Sequence, residues 1–174
     1  MQQNMTMSVD TLVSVDEYLH TCFPDGDRVY VDGRIVERNL GEVDHSDVQS
    51  GILHDLRTHY RKRICAGVEV RVQVRKTRFR IPDVTVMAGS KPTEPIIRKP
   101  PLVAVEVLFA EDRARDLQEK IDDYLGFGVK YVWVANPYTR RAYVHTSTGS
   151  REAKDGVLHA DRAKIDVPLS EIFS

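Results

Sequence analysis

Residues 102–109 read Leu-Val-Ala-Val-Glu-Val-Leu-Phe, and the fold turns on how they are read. A nearly continuous apolar run of this length is a strand buried on both faces, at the centre of a sheet. Upstream, Ile81 to Met87 (Ile-Pro-Asp-Val-Thr-Val-Met) reads as a second strand. Downstream, Arg113 to Phe127 places Leu117, Ile121, Tyr124 and Leu125 on one helical face, and Gly126 or Gly128 can end that helix. Tyr131 to Ala135 and Arg141 to Thr146 follow as strands across an Asn136-Pro137 turn. Strands interleaved with helices in this way give an α/β fold: a central mixed β-sheet flanked by helices.

The N-terminal half fits that frame. Ser14 and Glu17 form a capping pair for a short helix within Thr11 to His20, and Pro24 to Asp27 reads as a turn. Arg28 to Val31 and Arg34 to Arg38, joined by Asp32-Gly33, form an N-terminal β-hairpin, because Asp-Gly suits a turn that needs positive φ. A second capping pair, Ser46 and Gln49, precedes Val48, Ile52, Leu56, Tyr60 and Ile64, whose four-residue spacing is a helical stripe. Val68, Val70, Val72 and Val74 alternate with polar residues as one half-buried strand does. A weak hairpin near Arg151 to Ala160 and a segment from Val167 to Phe173 close the chain. Residues 1–10 read as a flexible terminus and residues 11–174 as a single domain.

Composition narrows the function. The chain has 174 residues, 41% hydrophobic and 29% charged, as soluble globular domains do. Met1 to Asp10 lacks a signal-peptide pattern, and no stretch approaches the ~20 apolar residues of a membrane helix. A cytoplasmic protein without a membrane partner is expected. Cys22 and Cys65 have no metal-ligand spacing, which argues against a zinc site or a thiol enzyme. Net charge is −1, yet Arg57 to Arg80 holds nine basic residues against one acid, Glu69. Such a segment is either a solvated surface or a region that attracts phosphates.

Three residues carry the chemistry. Glu106 is the one charge in its strand, and a carboxylate there must be ion-paired, hydrogen-bonded or bound to a metal. Asp83 follows Pro82 at a strand start, which puts a second carboxylate at a sheet end. Two carboxylates that converge suit Mg²⁺, which takes hard oxygen ligands and completes its shell with water and phosphate oxygens. Lys120 lies between Leu117 and Tyr124 on the helix and leans toward the sheet, or else pairs with Asp116 four residues back.

The segments Pro82-Asp-Val-Thr-Val, Leu102-Val-Ala-Val-Glu-Val-Leu and Arg113 to Val134 resemble the Uma-type restriction endonuclease family of the PD-(D/E)XK nuclease superfamily. The similarity runs from about Val15 to Val144 and includes the Asp32-Gly33 hairpin and His45 before the long helix. It implies a restriction endonuclease-like core in which Asp83 and Glu106 bind Mg²⁺, with Mn²⁺ as the substitute. The superfamily lysine usually lies two residues after the acid, where this chain has Leu108; Lys120 matches members whose lysine sits on the next helix. Glu37 is the expected fourth catalytic residue. His45, Arg71, Arg75, Lys76, Arg78 and Arg80 are expected to contact nucleic acid, with DNA the expected substrate and a homodimer the expected assembly. Where the family has a Ser-Pro-Ser-like turn, this chain has Phe109-Ala110-Glu111. The competing expectations are a catalytically inactive nuclease-fold module that binds nucleic acid or a protein, and a structural domain with Glu106 in a buried salt bridge.

Overall fold

A computed structural model describes residues 12–24, 28–39 and 41–173. The expected flexible terminus at residues 1–10 and most of the Pro24 to Asp27 turn lie outside them. The helices are α1 (Val15–His20), α2 (Val43–Tyr60) and α3 (Ala114–Phe127). The strands are β1 (Arg28–Val31), β2 (Arg34–Glu37), β3 (Ile64–Val68), β4 (Val72–Arg75), β5 (Arg78–Arg80), β6 (Val84–Ala88), β7 (Val103–Val107), β8 (Tyr131–Asn136), β9 (Arg141–Thr146), β10 (Gly149–Glu152), β11 (Val157–Ala160) and β12 (Ile165–Pro168).

Six strands build the central sheet in the order β10-β9-β8-β7-β6-β3. The pair β7–β8 is parallel and the rest are antiparallel, so the sheet is mixed. All five residues of β7 are buried, as its apolar run requires. One face carries α2 and the β11–β12 hairpin over Trp133, Val105 and Val144. The other carries α3 and β4 over Ala104, Val132 and Val134. A smaller sheet, β2-β1-β5-β4, packs α1 through Tyr18, Tyr30 and Phe79.

The β1–β2 turn has Asp32 at φ 48° and Gly33 at φ 93°, the positive values an Asp-Gly hairpin needs. Ser14 caps α1 by accepting the Glu17 N–H. Elsewhere local signals yield to packing. The Ser46–Gln49 capping pair is not used: the N-cap is Glu42, four residues earlier, with no side-chain cap hydrogen bond. Losing a cap costs about 1 kcal/mol. Burying Val48, Ile52 and Leu56 contributes roughly 1.5–3 kcal/mol each, so packing holds the helix without the cap. Ile64, read as the end of that stripe, opens β3 instead.

The single strand expected over Val68–Val74 is two strands in different sheets. The chain turns a corner at Glu69, φ 53°, and its N–H donates to the Asp83 carbonyl at 3.3 Å. Alternation continues on both sides of the corner, so periodicity alone cannot reveal it. The strand expected over Ile81–Met87 begins at Val84, because Pro82 supplies no ladder donor. The tail forms two hairpins, β9–β10 and β11–β12, in place of one at Arg151–Ala160.

Candidate active site

Asp83 stands just before β6. The β6–β7 register ends at Val84↔Val105, and Asp83 lies one residue before it, close enough that its charge and that of Glu106 both act on Lys120 and Tyr124. The Asp83 backbone is held on three sides. Its N–H donates to Val105 O at 2.9 Å, and its carbonyl accepts from Glu69 N–H and from Gln49 Nε2 at 2.9 Å. Its side chain is 3% exposed. Oδ2 accepts the Val107 N–H at 2.7 Å, and Oδ1 accepts from Arg38 Nη2 at 3.1 Å.

Glu106 is equally buried and wholly partnered. Lys120 Nζ donates to Oε2 at 2.7 Å, and the Tyr124 hydroxyl donates to Oε1 at 2.6 Å. Both donors come from α3, one turn apart, because residues four apart share a helix face. Lys120 thus pairs with the sheet carboxylate and not with Asp116. Burial pulls the Lys120 pKa down, but the charge of Glu106, aided by Asp83 and Asp112, more than offsets it, and the net shift is upward. Lys120 is therefore a fixed positive charge at neutral pH and no general base. Burial, then the Glu106 charge, push the Tyr124 hydroxyl well above its ordinary value, so it stays a donor.

His45, in the first turn of α2, is 3% exposed and stacks on Phe109 with ring centroids 4.1 Å apart. Its Nε2 lies 3.4 Å from Asp83 Oδ2 but makes no hydrogen bond. A buried imidazole nitrogen left open beside the Asp83 carboxylate is a donor that suits a divalent cation. Among the described residues, no group of three or more His, Cys, Asp or Glu side chains is placed so that it could hold a metal ion. The Phe109-Ala110-Glu111 turn is closed by Asp112, whose Oδ2 accepts the Phe109 N–H at 2.9 Å.

These groups border a cleft of about 500 Å³, lined by Asp83, Lys120, Tyr124, Arg38, Phe109 and Arg113, among others. A larger depression, about 1060 Å³, lies at the other end of α2 around Arg57, Arg61 and Arg63; no carboxylate lines it.

The remaining expected site residues scatter. Glu37 is on the cleft rim, 80% exposed in its side chain, and pairs with Arg28 at 3.2 Å rather than with Asp83 or Glu106. Arg75, Arg78 and Arg80 converge on Asp123, a 1%-exposed carboxylate of α3. Arg78 also pairs with Asp32, and both Arg78 and Arg80 reach Glu119. Their guanidinium groups are therefore engaged within the protein. Arg71 lies over the Tyr18 ring at 5.8 Å, and Lys76 is exposed at the β4–β5 turn.

Tyr124, Arg38 and Gln49 join the site without having been singled out in the sequence. Tyr124 counted as part of an apolar stripe, although its spacing of four from Lys120 is a usable signal. Arg38 and Gln49 carry none, since long-range contacts bring them in.

The comparisons with known proteins bear on the fold and the family. No curated protein sequence matches the chain. Among solved structures, that of "a putative nuclease belonging to DUF820" from Anabaena variabilis superposes with a TM-score of 0.81 at 16% identity, covering 92% of this chain and 97% of that one. At such identity the likeness bears on the fold. The family model Uma2, described as "Putative restriction endonuclease", matches residues 15–169. That match spans most of the chain, which belongs to the Uma2 family.

Proposed function

We propose that this chain is a Mg²⁺- or Mn²⁺-dependent endonuclease that hydrolyses phosphodiester bonds in DNA, with residues 11–174 acting as one domain. The observation that carries this reading is Lys120, whose Nζ lies 2.7 Å from Glu106 and whose charge also interacts with that of Asp83. Asp83 and Glu106 would hold the ion, with water and phosphate oxygens completing its shell. When bound, it supplies Lewis acidity and eases deprotonation of water at neutral pH. Lys120 keeps its proton and stabilises the negative charge that develops on the phosphoryl oxygens. Tyr124 holds Glu106 in one orientation from the buried side. Phe109 packs His45 in place and keeps bulk water off that wall. Arg113 and the exposed Lys76 remain open to contact the nucleic-acid backbone, a role that does not read sequence.

Incubation of supercoiled plasmid with the purified chain tests this. Nicking is expected with Mg²⁺ or Mn²⁺ and none with EDTA. Asp83→Asn and Glu106→Gln are each expected to reduce the rate at least 100-fold, in line with the loss of one charge-stabilising group. Unchanged rates in folded variants would rule the assignment out.

One observation favours the non-catalytic module instead. Both Asp83 oxygens are already bonded, to Arg38 and to the Val107 N–H. Under that reading nucleic acid binds with an affinity indifferent to divalent ions, and no ion raises the melting temperature.

A further inference from the structure

Each acid of the site carries its own internal cation, but the two are mounted differently. Lys120 projects from the middle of α3, between the buried Ile121 and the Asp116 turn, and its stem is fixed by the helix. Arg38 comes after the end of β2, outside any strand or helix, with its side chain 21% exposed. Its other terminal nitrogen is 3.8 Å from Glu69, itself half-exposed. Asp83 Oδ2 is tied to a backbone N–H of β7 and is not easily freed. Oδ1 is tied only to Arg38. Oδ1 is thus the coordination position of Asp83 that a small movement can open.

Charge gives the direction of that movement. Asp83, Glu106 and the half-exposed Glu69 face Arg38 and Lys120, so the resting cluster carries at most one net negative charge. A divalent cation added to it leaves a net positive charge beside two buried carboxylates. Repulsion then drives the nearer mobile cation off Asp83, and the excess charge calls for an anion. The guanidinium fork that fits a carboxylate also fits a phosphate. Arg38 lines the same cleft as Lys120 and Arg113, so a displaced guanidinium stays in the space a phosphodiester would enter.

We propose that Arg38 is the resting counter-ion of Asp83, displaced when a divalent cation binds and then available to grip the substrate phosphate, so that metal and nucleic acid enter the site cooperatively. This rests on the metal-dependent reading given above. Coupling between two ligands is reciprocal and commonly amounts to 5- to 150-fold.

Calorimetric titration of Mn²⁺ into the full chain tests the first half. Arg38→Ala is expected to bind Mn²⁺ about tenfold more tightly than the wild type, a coupling of ordinary size. Arg38→Gln, which keeps most of the side-chain bulk, provides the same comparison if the alanine variant does not fold. Anisotropy of a short fluorescein-labelled DNA duplex tests the second half, in Ca²⁺ and without divalent ions. The Ca²⁺-dependent gain in duplex affinity is expected to shrink about tenfold in the Arg38 variants. Mn²⁺ affinity that is unchanged or weaker in those variants overturns the proposal, as does an unchanged Ca²⁺-dependent gain. Asp83→Asn separates the two levels. Binding that depends on Asp83 but ignores Arg38 overturns this proposal alone. Binding that ignores Asp83, or none in any variant, overturns the metal reading and this proposal with it. Binding seen only once Arg38 is removed, and lost again in Asp83→Asn, supports both.

Discussion

The Tyr124 hydroxyl donates to Glu106 from a fully buried position. Hydrogen bonds to charged groups contribute about 1.5–3 kcal/mol. Tyr124→Phe is therefore expected to slow plasmid nicking roughly 10- to 150-fold. The metal-independent melting temperature should fall only modestly, because the ring still fills its place. Loss of activity with an intact melt would mark Tyr124 as a residue that positions Glu106; an unchanged rate would show that Lys120 alone suffices. The sequence exposed this site unevenly. Asp83 and Glu106 stood out because each is an acid where strands disfavour one. Lys120 stood out by helix geometry and resemblance. Tyr124 was hidden by its own ring, which reads as core. Arg38 could not be found, because its link to Asp83 spans 45 residues and depends on how two sheets meet.

At the level of elements, α3 sets the distance between Lys120 and the sheet, and its end is fixed by Gly128. That residue has φ 106°, its N–H closes on Leu125 O at 3.0 Å, and an added Cβ would lie 3.2 Å from Pro100 Cγ. Gly128→Ala is expected to cost about 1–2 kcal/mol from the left-handed backbone, read as a lower urea midpoint. The β11–β12 hairpin offers a pH test. His159 Nδ1 lies 2.6 Å from Asp166, and Nε2 lies 2.9 Å from Asp155. Its hydrogen bonds to Asp166 and then Asp155 raise its pKa above 6.5 despite partial burial. A raised imidazole pKa contributes stability that is complete below 6.5 and is lost as pH climbs through the folded value. The Asp155 carboxyl, lowered by His159, contributes above its ordinary 3.8 and loses that as pH falls. The melting temperature should therefore drop as pH rises above 6.5 and through the raised folded value, and His159→Gln should flatten that slope. Helices and the buried β7 were legible as elements because their patterns are long. The β3–β4 corner was not, since period-two alternation carries on through it.

Across the whole molecule, Asp123 ties the small sheet to α3 and hence to the central sheet. It receives Arg80 from β5 at 2.6 Å, Arg78 at 3.1 Å and Arg75 at 3.3 Å. Removing one partner of a buried pair costs about 3–5 kcal/mol. Asp123→Ala is expected to lower the denaturation midpoint by that amount, far more than Lys76→Ala would. If the basic run served mainly as a phosphate surface, Asp123→Ala would instead tighten DNA binding with little loss of stability. The net basic count of Arg57 to Arg80 thus overstates the charge available to a ligand, a correction that composition cannot supply. The chain order of the site has a further meaning for inheritance. Asp83, Glu106, Lys120 and Tyr124 all lie from the residue before β6 to the end of α3, whereas Arg38 and His45 precede that block. A recombination event with a relative anywhere between Val48 and Ile81 transmits the carboxylate–lysine–tyrosine set intact while exchanging the arginine and the imidazole. Chimeras joined there would separate the carboxylate–lysine–tyrosine set from the arginine and imidazole that contact Asp83.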